Sequence, residues 1–176
     1  KAKCELEADV NEMTSMLDSY VSFVKTESPE PIETIVINEL IADIIKTVDK
    51  NNIDLVLNEK TIIQSSGRQI QLKRAFNNII DNSQRYAKKI EINLYKKEKD
   101  CVIEFNDDGE GIPRDKYEDV FKPFFTLDPS RNKLKGESGL GLTITRDIIR
   151  SHGGDVKLSD SNLGGLQLKV LLPLWF

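Results

Sequence analysis

The 176-residue sequence has little with which to hold a metal or a crosslink: one histidine, His152, and two cysteines, Cys4 and Cys101. A lone histidine excludes the multi-histidine metal sites. The cysteines are far apart with no CxxC pattern, which excludes a zinc ribbon and a disulfide framework. No apolar run approaches the roughly 18 residues of a membrane span, and no signal-peptide pattern opens the chain. Basic charge is also short: the net charge of −4 argues against nucleic acid as a partner. What is present is ample apolar and charged material, 39% and 31% of residues, enough to build a real core. The chain begins at Lys1 rather than methionine, as expected of a piece of a longer protein.

In the opening stretch, apolar residues fall at Leu6, Val10, Met13, Leu17, Tyr20 and Val24, with spacings that alternate four and three. That is the seam of a coiled coil or helix bundle, and a single helix cannot cover it. The helix either lies on the following domain or pairs with other helices, and the regular heptad favours pairing. Pro29 and Pro31 then break the helix and set an extended connector. We therefore expect a helix over residues 1–26, a linker over 27–33 and a folded domain over 34–176.

Within that domain, Asn38 is expected to cap a helix marked by Leu40, Ile41, Ile44, Ile45 and Val48. Strands are expected at Ile53–Leu57, Thr61–Gln64, Ile90–Tyr95, Val102–Phe105, Val156–Leu158 and Leu166–Leu172. A long helix is expected over Gln69–Tyr86, with Leu72, Ala75, Phe76, Ile79 and Ile80 as its buried stripe, and a last helix over Leu140–Ser151. Mixed elements with adjacent antiparallel strands predict an α+β fold, a two-layer sandwich with helices on one face of one sheet. The segment between Phe125 and Gly139 has no apolar period, and a loop of that length in a compact domain is usually a lid.

Four stretches carry candidate chemistry. Asn78 and Asn82 share a helix face, with Arg85 and Tyr86 a turn later. Their amides suit a hydrated magnesium ion and phosphate oxygens, although a solvated helix face would read the same. Asp107-Asp108-Gly109-Glu110-Gly111-Ile112-Pro113 follows a strand, where a carboxylate can accept from an exocyclic amine and glycines let the backbone approach a flat ligand. The alternative is an ordinary acidic turn. Phe121-Lys122-Pro123-Phe124-Phe125 is either part of a site or a hydrophobic latch at the loop entrance. Gly139-Leu140-Gly141-Leu142 opens the last helix, where free N–H groups and the helix dipole attract phosphate. The P-loop pattern GxxxxGK[ST] and the dinucleotide fingerprint are both absent.

In this order the four stretches resemble the N, G1, F and G2 boxes of the sensor histidine kinase catalytic domain. That domain shares its superfamily with gyrase, the ninety-kilodalton heat-shock chaperone and the mismatch-repair ATPase. The resemblance runs from about Ile32 to Pro173. Asp107-Asp108-Gly109, Ser130-Arg131 and Gly164-Gly165-Leu166 look most like the osmosensor, EnvZ-like branch. The opening helix resembles the second helix of the dimerisation and phosphotransfer hairpin.

The resemblance implies ATP and Mg2+ as ligands. Asn82 would coordinate the metal with Asn78 beside it, Arg85 would reach the phosphates, and Tyr86 would pack on adenine. Asp107 would accept from the adenine amine over a floor of Gly109, Gly111 and Ile112. Phe121, Thr126 and Leu127 would border the ATP site, with Thr126–Glu137 forming the lid. Arg131 would contact the γ-phosphate, and Ser138, Gly139, Leu140, Gly141 and Leu142 would supply phosphate donors. Thr126 stands where many relatives carry arginine, and Gly136-Glu137-Ser138 replaces a shorter lead-in to the glycine box. Gyrase-like ATPases carry a general-base glutamate at the position of Asn78, and an amide cannot take a proton from water.

A histidine kinase needs an accepting histidine, and His152 in Ser151-His152-Gly153-Gly154 does not match the His-[Glu/Asp]-x-x-x-Pro pattern. It is expected at a helix end, favoured by the dipole and followed by a glycine cap. The accepting helix is therefore expected outside this chain. Expected partners are the chain's own first hairpin helix, a homodimer partner and a response-regulator receiver domain. The expected location is the cytoplasmic portion of a bacterial inner-membrane sensor. A regulatory nucleotide-binding module and an anti-sigma-type serine kinase are the alternatives.

Overall fold

In β5 (Asp100–Asp107) six of the eight residues are buried, and this strand is the middle of the domain's main sheet. The computed structural model describes residues 30–48, 54–127 and 139–174, together with Thr14. The expected opening helix and most of the lid lie outside the described residues. Before β5 come β1 (Glu33–Val36), α1 (Ile37–Thr47), β2 (Asp54–Glu59), β3 (Gln64–Gly67), α2 (Gln69–Tyr86) and β4 (Lys89–Lys97). After it come single 3-10 turns at Arg114–Lys116 and Asp119–Phe121, then α3 (Gly141–Ser151), β6 (Asp155–Asp160) and β7 (Leu166–Pro173). The five-stranded sheet has the order β2-β4-β5-β7-β6, and β1 pairs with β3 in a small separate ladder. The result is the expected α+β sandwich.

Periodicity explains the layers. The stripe Leu72, Ala75, Phe76, Ile79 and Ile80 on α2 is fully covered, and Phe76 meets Phe105 of β5 at 6.0 Å between ring centroids. Ile37, Leu40, Ile41 and Ile44 of α1, and Ile144, Ile148 and Ile149 of α3, complete the helical layer. Burial of each such side chain contributes about 1.5–3 kcal/mol. The opposite sheet face is polar, with Tyr95 and Lys169 both bonded to Glu104 and Gln167 bonded to Asn106. Cys101 lies in the core, where burial pushes its thiol up to about 12 and leaves it inert.

Three expectations about elements need correction. Adjacent strands are antiparallel except β2 and β4, which run parallel. The strand expected at Thr61–Gln64 lies instead at Gln64–Gly67, opposite β1, which the pattern did not reveal. Its inward residues are Ser65 and Gly67, so no apolar alternation marks it. Asn38 is no cap: Val36 precedes the helix, and Asn38 is buried in its first turn. Its amide donates to Glu59 Oε2 (2.8 Å) and the Thr61 carbonyl (2.9 Å), and its oxygen accepts from the Ile63 N–H (2.7 Å). It holds the β2–β3 connection rather than a helix end.

The start of α2 has no cap from its own Arg68. Glu30, from the stretch expected as linker, supplies one by accepting from the Ile70 and Gln71 N–H groups at 2.5 and 3.2 Å. His152 meets the same helix start. It ends α3 in a Schellman arrangement, with Gly153 at φ 74° and bonds from the Gly153 and Gly154 N–H groups back to Arg150 and Ile149. Its Nε2 accepts from the Arg68 N–H at 3.0 Å, while Nδ1 lies 2.7 Å from the Ile148 carbonyl. A backbone N–H only donates and a carbonyl only accepts, so the ring is the neutral Nδ1–H tautomer.

His152 thus stands at the expected helix end before its glycine cap, and it is neutral there. Burial, the largest influence, holds its pKa below the ordinary histidine value. The unfolded chain then binds the proton first as pH falls. We predict unfolding free energy that is flat above about pH 6.5 and declines below it, by at most about 1.4 kcal/mol per pH unit for this proton. Urea titrations between pH 7.5 and 5.5 test this, and His152→Gln is expected to remove that part of the slope. An unchanged slope in the variant would contradict it.

Candidate functional site

Asp107 ends β5 with its carboxylate buried beneath two connections. Oδ1 accepts from the Gly109 N–H at 3.0 Å and the Leu166 N–H at 2.9 Å, and Oδ2 accepts from the Ser83 hydroxyl at 3.3 Å. The Gly165 N–H also donates to the Asp107 carbonyl at 3.1 Å. The backbone closes tightly here. A Cβ at Gly165 would overlap Asp107 Oδ1 and the Gly109 nitrogen, and one at Gly109 would lie 2.9 Å from the Tyr86 carbonyl. Gly111, at φ 71°, sits over Gly165, and Ile112 packs against the core. The neighbouring aspartate has a different task. Asp108 Oδ1 accepts from the Lys88 and Lys89 N–H groups, both at 2.8 Å, which ties the start of β4 and lowers its pKa.

The long helix α2 joins this acceptor to the start of α3. The amide of Asn78 donates to the Gly141 carbonyl at 3.3 Å, and the Thr145 hydroxyl reaches the same carbonyl at 2.9 Å. Asn82, one turn further along α2, is half-buried, and no hydrogen bond is formed by its side chain among the described residues. Arg85 and Tyr86 are exposed at the helix end. Among the described residues no side-chain cap is formed at the start of α3, and a helix start of that kind suits a phosphate.

The described residues on either side of the segment expected as a lid meet. The Phe124 N–H donates to the Gly139 carbonyl at 3.0 Å, and Gly139 adopts φ 64° with no space for a Cβ beside the Phe124 backbone. Helix α3 grips the same turn, as the Thr143 hydroxyl donates to the Phe121 carbonyl at 3.0 Å. Arg146 stacks 4.4 Å over the Phe121 ring and pairs with Glu118 at 2.9 Å. Phe121 and Leu140, both expected at the ligand, turn their side chains into the core. Phe121 packs as a hydrophobic latch would. Thr126 and Leu127, expected to begin the lid, are half-buried and exposed, while Arg131 and Ser138 lie outside the described residues.

A buried acceptor at a strand end, a backbone-walled floor, two helix amides and an uncapped helix start point to a nucleotide. A profile of the family described as histidine kinase-, DNA gyrase B-, and HSP90-like ATPase matches residues 67–175. The chain belongs to that family.

As a member of that ATPase family, the chain is similar to the sensor histidine kinase CpxA of Escherichia coli, at 39% identity over 110 residues. That match covers 62% of this chain and 24% of CpxA. The sensor histidine kinase GtrS of Pseudomonas aeruginosa is 30% identical over 168 residues, which are 94% of this chain and 34% of GtrS. The chain thus spans about a quarter to a third of these curated relatives. The solved structure of the mycobacterial sensor histidine kinase MprB superposes with a TM-score of 0.72 at 25% identity, over 81% of this chain and 97% of that one. The matched region is the histidine kinase ATP-binding domain of two-component sensor kinases.

Reasoning from sequence missed three participants in this ATP-binding domain: Ser83, Gly165 and Leu166. The last two stand in Gly164-Gly165-Leu166, whose glycines mark a close backbone approach. Nothing local marks Ser83.

Proposed function

We propose that this chain binds Mg-ATP and delivers the γ-phosphoryl group to a histidine on another segment of the kinase, for relay to a response-regulator aspartate. The supporting observation is the Asp107 carboxylate, a buried acceptor walled by Gly109 and Gly165, joined through α2 to the uncapped start of α3. Asp107 accepts from the adenine amine, over Gly109, Gly111 and Ile112, with Tyr86 packed on the base. Guanine presents a carbonyl there and meets an acceptor. Arg85, the backbone N–H groups of Gly139 to Leu142, and the Ser138 hydroxyl hold the phosphates. Thr126 and Leu127 carry the lid, and Arg131 within it stabilises charge on the transferring phosphoryl.

The residues fit a magnesium ion shared with the nucleotide. Asn82 offers a half-buried amide oxygen without a protein partner among the described residues, and no group of three or more His, Cys, Asp or Glu able to hold an ion occurs among them. Magnesium commonly takes few protein ligands and several phosphate or water oxygens, as this arrangement requires. When bound, the ion neutralises charge on the phosphates.

Asn78 occupies the general-base position of the gyrase-like enzymes, and its neutral amide donates to Gly141. Water therefore finds no base at that position, and ATP is held for a different nucleophile. In this reading residues 1–26 form the second helix of the dimerisation hairpin, 27–33 the connector and 34–176 the catalytic domain. The homodimer and the first hairpin helix supply the accepting histidine. The chain is the cytoplasmic portion of a membrane sensor. Among the described residues, no helix is long and apolar enough to cross a membrane.

Incubation with radiolabelled Mg-ATP tests the transfer. We predict very slow phosphate release and no self-labelling, because both ring nitrogens of His152 are bonded and the ring is buried. A supplied hairpin segment carrying the accepting histidine is expected to gain an acid-labile label. Rapid steady phosphate release, or self-labelling abolished by His152→Ala, would contradict the proposal.

A further inference from the structure

Ser83 follows Asn82 on α2 and turns its side chain inward, where it is buried against the end of β5. Its hydroxyl is the side-chain partner of Asp107, and it bonds the oxygen that the backbone leaves alone. Both main-chain donors, from Gly109 and Leu166, converge on Oδ1. Two bonds to Oδ1 fix the rotation of the carboxylate, and the Ser83 hydroxyl then decides which lone pair of Oδ2 stays open.

We propose that Ser83 is a specificity-determining residue that occupies one lone pair of Asp107 Oδ2 and leaves the other for the substituent on purine position 6. The hydroxyl has one proton, and donating it to Oδ2 leaves only lone pairs facing outward. A carboxylate oxygen has two lone-pair sites, so one remains for the base. Asp107 and Ser83 together present acceptors and no donor. An exocyclic amine is matched by that edge, and a carbonyl finds nothing to bond. The inference rests on Asp107 as the acceptor for the base, and it adds the residue that decides which lone pair of that acceptor stays open.

The bond is long for O–H···O, so its effect is modest. The test titrates the whole chain with ADP and IDP, which differ in the amine or carbonyl at position 6 and in the hydrogen that the carbonyl form carries on N1. Wild type is expected to prefer ADP. Ser83→Ala is expected to weaken ADP about fivefold, the size of one weak hydrogen bond, and to leave IDP unchanged. Ser83→Thr keeps the hydroxyl and is expected to restore ADP binding. If the alanine variant folds poorly, Ser83→Cys, close in volume and a weaker donor, is expected to fall between alanine and wild type.

Equal loss for ADP and IDP would make Ser83 merely structural and overturn the proposal. So would unchanged ADP binding in Ser83→Ala, or alanine and threonine variants that behave alike. A wild type that binds both nucleotides equally would overturn Asp107 as the reader of the amine, and this proposal with it. A wild type that prefers ADP, with variants that keep the full preference, would overturn the role of Ser83 alone.

Discussion

Asp107→Asn is expected to lower ATP affinity about a hundredfold while leaving the fold nearly as stable as wild type. The asparagine oxygen can still accept from the Gly109 and Leu166 N–H groups, so the two connections that converge on Oδ1 stay in place. The amide nitrogen then takes the place of Oδ2. Ser83 can rotate its hydroxyl and accept from that nitrogen instead of donating. Toward the ligand, however, an acceptor has become a donor. The adenine amine meets another N–H, and two buried donors face each other unpaired. That mismatch costs about 2–3 kcal/mol, or roughly a hundredfold in affinity. A nucleotide with a carbonyl at position 6 gains the bond that ATP loses. Titration with ATP and GTP reads both changes, and the variant should narrow or reverse the preference. Equal loss for ATP and GTP would mean that Asp107 shapes the pocket without reading the base.

Gly165→Ala is expected to have the largest effect on stability, about 3 kcal/mol, with nucleotide binding lost as well. The reason is space. Gly165 does not occupy the left-handed region, but a Cβ there would overlap Asp107 Oδ1, the Gly109 nitrogen and the Asp107 carbonyl oxygen. Two of these are backbone atoms and the third is a carboxylate oxygen held by two N–H groups, so the whole turn must move. Moving it breaks the Leu166 bond to Oδ1 and the Gly165 bond to the Asp107 carbonyl. The adjacent Gly164 is the control. It has φ 101° and open space where a Cβ would be, so Gly164→Ala costs backbone strain alone, about 1–2 kcal/mol. Urea midpoints rank the two variants. Gly165→Ala at wild-type stability would contradict the packing described for the pocket wall.

Legibility in the sequence followed the range of the interactions. The stripe from Leu72 to Ile80 obeys helical spacing, and α2 lies over Gln69–Tyr86 as expected. The central strands carry apolar runs bounded by charged turns and were placed to within two residues of their ends. Of the residues that the box order pointed to, Asp107 is buried, Gly109 and Gly139 leave no space for a Cβ, and Gly111 and Gly139 adopt positive φ.

What stayed hidden depends on residues far apart in the chain. Leu166 meets Asp107 across 59 positions, and Asn38 meets Ile63 across 25, with no periodic signal at either end. The β1–β3 ladder consists of four-residue strands with serine and glycine turned inward, so it lacks the alternation that betrays a strand. Asp107 and Asp108 are chemically alike in sequence. Only the fold shows that one faces the pocket and the other secures β4. The helix-end position of His152 was legible, but its ring partner, the Arg68 N–H, comes from another element and was not.

The most direct measurement is a calorimetric titration of the unmodified chain with Mg-ATP and, separately, Mg-GTP. A site built on Asp107, Asn82 and the start of α3 predicts one saturable event per chain for ATP and much weaker binding for GTP. It also predicts that ATP is recovered intact at the end of the titration. Absence of ATP binding, or equal affinity for the two nucleotides, would contradict a pocket that reads adenine and holds its triphosphate for transfer.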